Sequence, residues 1–574
     1  MGSLDFSIVL VYLVGLFVIS TLAAARNTGQ REMFSANRNS PWWASGLSGF
    51  MTVFSANTFV VWGGIAYQLG LVAVVINLTY GIAAMLVGYF VAGQWNRMGV
   101  DTPAEYVTLR FGETGLNFFT WTLLLKRILG VAGSLYALGV LLTARTSDGS
   151  SILPLQPHWA IILFGLIVIL YTMQGGLWAV LMTDVLQFIV LTVVVFVASI
   201  LMMADLGSFA NFQNNLPDGF LHLTNGEYTW FFLIGWTTIN FFTFGAEWAF
   251  VQRFIAVKNP RDARKATWLF GIMYLVTPLF WMLPPLLYRA QVEGADKEAA
   301  YILATQSVLP AGLVGLMVTA LFSATASMVS SQLNVFAGVL TNDFYRPLFN
   351  PQATEKNLVL AGRFFTGTIG ILLIVMALLV PWMGGAEKVI VTINSMLVVP
   401  LLAPTLWGVF SKKIGIGHLL TVALTSFAIG MFLRFGMPFL TEEGDALWFV
   451  TEFVVGNKKM VELFNGVLLP VCMLGIFELT LSTQDRGAKM LETVCGKSIT
   501  EDLSNSTNTR FDPFPARMVM VTLLLLGAWI TFIGLREPDA RTVLLSVGCL
   551  LLALGGSLEC FIRSRMTAAA HRLP

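Results

Sequence analysis

The chain has 574 residues, of which 56% are apolar and only 11% charged, against roughly 25% charged in soluble domains. That composition excludes a water-soluble globular protein and points to an all-α integral membrane protein. A formal net charge of +2 excludes nucleic-acid binding by bulk electrostatics, and Cys472, Cys495, Cys549 and Cys560 have neither zinc-ligand spacing nor the pattern of a disulfide framework.

Hydropathy predicts about fifteen apolar runs, each near the ~20 residues that cross a bilayer as helix. In chain order they are 5–25, 43–66, 70–95, 115–143, 157–174, 177–204, 228–256, 265–288, 308–340, 358–382, 387–410, 415–436, 460–482, 516–534 and 541–563. The first lacks a basic leader and a cleavage site, so it reads as a retained span. Basic residues gather after the first run (Arg26, Arg31, Arg38), the seventh (Arg253, Lys258, Arg261, Arg264, Lys265), the ninth (Arg346, Lys356, Arg363) and the eleventh (Lys412, Lys413). The stretch from Ala204 to Tyr228 has no Lys or Arg. The positive-inside rule then places the amino terminus outside and the carboxyl terminus in the cytoplasm. The polar segment of about 483–516 reads as a flexible cytoplasmic connector.

Two runs do not read as straight helices. The second holds Phe54-Ser55-Ala56-Asn57-Thr58 and Trp62-Gly63-Gly64; the seventh holds Asn240-Phe241-Phe242-Thr243-Phe244-Gly245-Ala246-Glu247. Small and polar residues at membrane depth let a backbone unwind where protein or a water-filled cavity surrounds it. The two lie five runs apart, as expected of an inverted repeat of five helices. Close helix packing at the glycines is the other reading.

Between the fifth and sixth runs stands Gln174-Gly175-Gly176, followed by Thr183-Asp184-Val185-Leu186-Gln187. A carboxylate at that depth costs about 3 kcal/mol by insertion scales, so Asp184 marks an ion path or a paired structural site. Lys126 and Arg127 sit between Leu123-Leu124-Leu125 and Ile128-Leu129-Gly130, and must also face the bundle interior.

These motifs resemble the sodium/solute symporter family, which includes sodium-coupled carriers of glucose, proline and sialic acid. The resemblance runs from about Arg38 to Lys413. It adds Val251-Gln252-Arg253, Pro103-Ala104-Glu105-Tyr106 with Arg110-Phe111, and Ser331-Gln332-Leu333-Asn334 with Thr341-Asn342-Asp343-Phe344-Tyr345. It implies a LeuT-type five-plus-five inverted-repeat core over about 40–413, with added helices at about 5–25 and 415–563, all in one transporter domain.

The resemblance also implies sites. A first sodium site takes the carbonyls of Met51, Phe54 and Ala324 and the hydroxyl of Ser327, oxygen donors that suit a hard cation. Where the family has a second hydroxyl this chain has Met328, and a thioether is a poor ligand for such an ion. A second cation site joins Asp184 to Ser330 and Ser331. The bland alternative pairs Asp184 with a buried base and turns the serines to carbonyls of their own helix.

The resemblance further implies solute contacts at Thr58, Asn77, Tyr80, Asn240, Tyr274 and Thr392, neutral groups suited to hydroxyls and amides. Phe242 and Phe244 are lid candidates, though each also reads as packing. Arg127 is a further solute candidate because its planar fork suits a carboxylate, and sialic acid carriers of the family bind their acid with an arginine on this helix. The other reading of Lys126 and Arg127 is an ion pair with Asp184 or Glu247.

The expected function is cation-coupled symport of a small polar organic solute by alternating access, across the cell membrane. Sodium is the implied coupling ion, a proton on Asp184 the alternative, and no cofactor is implied. A transporter-like sensor lacks a signalling module. An enzyme lacks a nucleophile or metal motif among His158, His222, His418 and His571. A channel would differ in having no saturable, solute-dependent uptake.

Overall fold

A computed structural model of the chain describes residues 2–24, 33, 36–143, 153–207, 209–383, 386–433, 452, 461, 463–493, 513–538 and 540–570. Every run found by hydropathy carries a helix. Among the described residues, ten helices are long and apolar enough to cross a bilayer, eleven with one bent pair. Four shorter apolar helices fall on the remaining runs.

The first half of the core opens with α1 (Ser3–Ala24) lying outside it. Next come α2 (Trp42–Val53) and α3 (Thr58–Leu69), bent 63° from one another across Phe54–Asn57. Then follow α4 (Val72–Arg97), α5 (Pro103–Thr143), α6 (Pro157–Gln174) and α7 (Gly176–Leu206). The second half runs through α8 (Trp230–Ala246), α9 (Trp248–Ile255), α10 (Pro260–Gln291), α11 (Leu313–Leu348), α12 (Glu355–Met383) and α13 (Ala386–Phe410). Beyond it lie α14 (Ile416–Met431), α15 (Phe464–Thr480), α16 (Phe514–Arg536) and α17 (Arg541–Ala570).

Local sequence sets the helix starts. Thr229, Asn259 and Thr354 each accept a backbone N–H three residues on, and Pro157 and Pro260 occupy first-turn positions where the missing N–H is no loss. The two core breaks have the same backbone signature. Phe54 (φ −77°, ψ 132°) and Glu247 (φ −72°, ψ 131°) are extended residues at the end of a helix. In the second broken span the interruption therefore falls at Glu247, while Thr243 remains helical and its carbonyl accepts the Glu247 N–H at 2.9 Å.

Two expectations need correcting. The Pro103–Arg110 stretch ahead of the fourth span, expected as loop, is helical, and Gly112 (φ 72°, ψ −174°) turns the chain between it and the span. The connector is not featureless at its start: residues 486–493 are helical, and Asp485 reaches Arg110 at 2.6 Å. Arg110 is fully buried, and also donates to the carbonyls of Gly408, Ser411 and Ile414.

Burial ranks the helices. In the most apolar stretch of α11, 94% of residues are buried, against 22% in α17; α11 is the axis and α17 lies at the periphery. α1 lies along α11 and α7. Asp5, 2% exposed, accepts the N–H groups of Gly312 and Gly315 at 2.7 Å each, capping the start of α11. Tyr12 bonds Ser323, and Ser20 Oγ donates to the Tyr171 carbonyl at 2.5 Å.

The corner between α6 and α7 depends on one glycine. Gly176 has φ 57° and ψ −156°, and a Cβ there would lie 2.6 Å from the Met33 carbonyl oxygen. A left-handed backbone costs an L-residue roughly 1–2 kcal/mol before any clash. Gly176→Ala should therefore lower the thermal midpoint of the detergent-solubilised protein by several degrees. Gly556→Ala, where an added Cβ meets nothing within 4 Å, should leave that midpoint unchanged or slightly higher.

Candidate substrate and cation sites

The break between α2 and α3 opens onto a central cavity. Its wall includes Thr58, Asn77, Tyr80, Arg127, Asn240 and Tyr274, six solute positions proposed from sequence and contributed by five helices. Thr392 falls on α13, and its side chain lies outside what the structure describes. Asn77 and Asn240 each give their amide N–H to a carbonyl one turn back, Ala73 and Trp236, both at 2.8 Å. Their carbonyl oxygens are thereby left as acceptors for a solute N–H or O–H. Tyr80 and Tyr274 stack with ring centres 5.3 Å apart, and Trp62 meets Trp236 at 5.9 Å, giving that end of the chamber a rigid aromatic wall. Phe244 lines the cavity and packs on Phe270 and Phe250, whereas Phe242 is buried against Phe241.

Lys126 and Arg127 both reach this chamber and both meet Glu247, the extended residue at the second break. Arg127 contacts the Glu247 carboxylate directly, and Lys126 Nζ stands 3.7 Å from it with no hydrogen-bond partner. Gln332 on α11 donates to Glu247 at 3.2 Å. The sequence alternative of an ion pair with Glu247 is thus present, and the two cations outnumber their one carboxylate.

A second buried charge centre lies where α2, α7, α9 and α11 meet. Asp184 is fully buried and accepts hydrogen bonds from Ser48 and, at 2.5 Å, from Ser327. Arg253 NH2 stands 3.7 Å from its carboxylate and donates to Ser331 Oγ at 2.5 Å and Ser48 Oγ at 3.1 Å. Ser330 Oγ donates to the carbonyl of Ser327. Asp184 and Ser331 both meet the buried base Arg253, and Ser330 turns to a carbonyl of its own helix, as in the alternative reading. Ser48 was missed by sequence reasoning. Its signal was only a small hydroxyl residue one helical turn before Met51 and Thr52.

At the first cation position, Ser327 is drawn to Asp184 rather than toward the break. Met51 O accepts the Phe54 N–H at 3.2 Å, and Ala56 N donates to Thr325 Oγ1 at 2.9 Å, which ties the unwound backbone to α11 one residue beyond Ala324. Met328 lines the cavity and takes a hydrogen bond from Ser134 at 3.6 Å to sulfur. Asn57 donates to the same Ser134 at 2.6 Å, leaving its buried Oδ1 unpaired. No group of three His, Cys, Asp or Glu side chains able to hold a metal ion occurs among the described residues.

Comparison with known proteins agrees with this architecture. The chain is 28% identical to the sodium/glucose cotransporter of Vibrio parahaemolyticus over 473 residues, covering 75% of this chain and 84% of that one. It is 23% identical to the sodium/sialic acid symporter NanT of Aliivibrio fischeri, covering 75% and 88%. A sodium-coupled sialic acid symporter solved in a substrate-bound, outward-open state superposes with a TM-score of 0.68 at 20% identity. The superposition covers 82% of this chain and 98% of that one, and establishes the shared LeuT-type inverted-repeat fold. The profile of the sodium:solute symporter family matches residues 33–421, more than half of the chain. The protein is a multi-pass membrane transporter belonging to the sodium:solute symporter family.

Proposed function

We propose that this protein carries a small polar organic solute into the cell, drawn by the sodium gradient, through alternating access of the central cavity. The observation that carries the reading is the convergence of Thr58, Asn77, Tyr80, Arg127, Asn240 and Tyr274 on one chamber beside the α2–α3 break; Thr392 is proposed to join them. Sodium is held in part by main-chain carbonyls of Met51, Phe54 and Ala324 with Ser327, and in part at Asp184, Ser330 and Ser331. The carrier lies in the plasma membrane with its amino terminus outside and its carboxyl terminus in the cytoplasm, following loop charge. Chain 1–574 acts as one domain, and no enzymatic step is involved.

Coupling follows from thermodynamic linkage. The ion must favour the state that binds solute, so that each raises the other's affinity. Glu247 stands between the two centres, joined on one side to Arg127 and on the other to Gln332 of α11. The surplus positive charge of Lys126 and Arg127 favours a solute with an acid group, whose hydroxyl or N–H groups face Asn77 and Asn240. Met328 favours a second reading, in which Asp184 carries a proton instead of binding sodium.

Reconstitution into liposomes with a solute panel, under imposed sodium or proton gradients, separates the readings. Accumulation that follows sodium supports the first, accumulation that follows only the proton gradient supports the second, and solute equilibration without accumulation under either gradient removes ion coupling. In the same assay Asp184→Asn should raise the half-saturating sodium concentration about tenfold or more, a loss of ~1.4 kcal/mol, while solute affinity at saturating sodium changes less. Unaltered accumulation would take Asp184 out of the mechanism. Met328→Ser should lower the half-saturating sodium severalfold, since a gained oxygen ligand contributes about 1 kcal/mol. An unchanged value would place the ion elsewhere.

A further inference from the structure

Arg110 is 1% exposed, and a buried guanidinium left without a counter-ion is strongly unfavourable. It stands at the last turn of α13, where backbone carbonyls have no partner within their own helix. Its Nε donates to the Gly408 carbonyl at 3.2 Å, and one terminal nitrogen donates to those of Ser411 at 3.1 Å and Ile414 at 2.6 Å. The charge itself is met by Asp485 at 2.6 Å, the carboxylate paired with Arg110 among the described residues. That acid comes from beyond the stretch that the family profile matches, which ends at residue 421.

Asp485 is itself closely held. Its N–H donates to the Lys412 carbonyl at 2.8 Å, and its carboxylate accepts the Gly487 N–H at 2.9 Å. Gly415 leaves it room, since a Cβ there would fall 2.5 Å from Oδ1. Gly487 lies against the Arg110 backbone, where a Cβ would overlap the Arg110 carbonyl oxygen. Ala488 and Leu491 bury the inner face of the helix at 486–493. The segment 484–493 therefore lies as a strap over the corner between α13 and α14 and over the Pro103–Arg110 helix, at the end of the bundle that loop charge assigns to the cytoplasm.

The sequence of α13 explains why it needs such a hold. Pro400 and Pro404 lie inside the helix, and each removes an N–H from its ladder, which weakens α13 between its first half and its foot. The foot is tied to the Pro103–Arg110 helix by the Tyr106 hydroxyl, which donates to the Thr405 carbonyl at 3.1 Å, and by Arg110 on Gly408. A rod jointed at its middle keeps one half in register only while the other is fixed. We propose that Asp485 is a positioning residue for transport: through Arg110 it locks the foot of α13 to α5, so that the stretch before Pro400, which bears Thr392, moves about a fixed base. This rests on the carrier reading given above, and adds to the machinery a segment outside the matched core.

The test uses the full-length protein in liposomes, its four native cysteines replaced by serine and nitroxide labels attached at Glu113→Cys on α5 and Phe410→Cys at the foot of α13, both exposed positions. Pulsed electron paramagnetic resonance reads the distance between the labels. Sodium-driven uptake of the solute that the panel identifies reads function. Asp485→Ala and Gly487→Ala reach the strap by different routes, one by removing its charge and the other by displacing its backbone. Both should broaden the distance distribution about twofold and lower the maximal uptake rate about fivefold, with the half-saturating sodium concentration within about twofold of the parent. Glu492→Gln, which breaks only the exposed pair with Lys412, should change none of the three. A broadened distribution with an unchanged maximal rate overturns the proposal and leaves the strap a packing element. An unchanged distribution in Gly487→Ala overturns it whether or not sodium drives accumulation in the parent, and that variant decides alone should Asp485→Ala fail to fold. A parent that equilibrates solute without accumulating it under sodium instead removes the ion-coupled reading beneath.

Discussion

Charge neutrality inside the bilayer is the constraint around which this molecule is organised. Five ionisable side chains, Lys126, Arg127, Asp184, Glu247 and Arg253, lie deep among membrane helices, four of them nearly fully buried and Arg127 partly open to the cavity. An isolated ion in such a medium would cost several kcal/mol even after relaxation. Two groupings meet the constraint differently. Asp184 and Arg253 face one another and share serine hydroxyls; Lys126 and Arg127 share the single carboxylate of Glu247 at the cavity wall. The first arrangement is a closed polar centre, and the second sets ionisable groups at the edge of the chamber.

The helix breaks are what let these groups meet. Phe54 and Glu247 take the same extended backbone, and each interruption exposes main-chain polar atoms that a continuous helix would have consumed. In the first, Ala56 N–H is satisfied by Thr325. In the second, the residue at the break is itself the carboxylate that binds the two cations. Backbone irregularity and buried charge are therefore one problem with a common solution, in which α11 supplies the polar partners, through Thr325 to one break and Gln332 to the other.

Much of this was legible in the chain because membrane segments announce themselves. Fifteen apolar runs, the Gly175-Gly176 corner and the polar tracts near Ser55 and Asn240 all read directly from residue type. Ends and partners were less visible. The Pro103–Arg110 stretch carries enough charge to look like loop, yet Arg110 is paid back by four acceptors that only folding brings together, one of them Asp485 from nearly four hundred residues away. The second break falls at Glu247, the last residue of the tract read from sequence, because the phenylalanines and threonine at 241–244 tolerate helix well. Ser48 was invisible for a different reason: a lone serine in an apolar helix has no pattern, and its role exists only through Asp184 and Arg253.

The amino-terminal helix precedes the stretch that matches the family profile, which starts at residue 33, yet Asp5 supplies the cap at the head of α11. Gly315 leaves no room for any larger residue, since a Cβ there would fall 2.5 Å from the Asp5 carbonyl oxygen. A helix that gives up its own capping residue to an appended segment makes that segment indispensable. Core and appendage are thereafter bound to change together, and swapping α1 for that of a relative would behead the very column on which both buried centres lean.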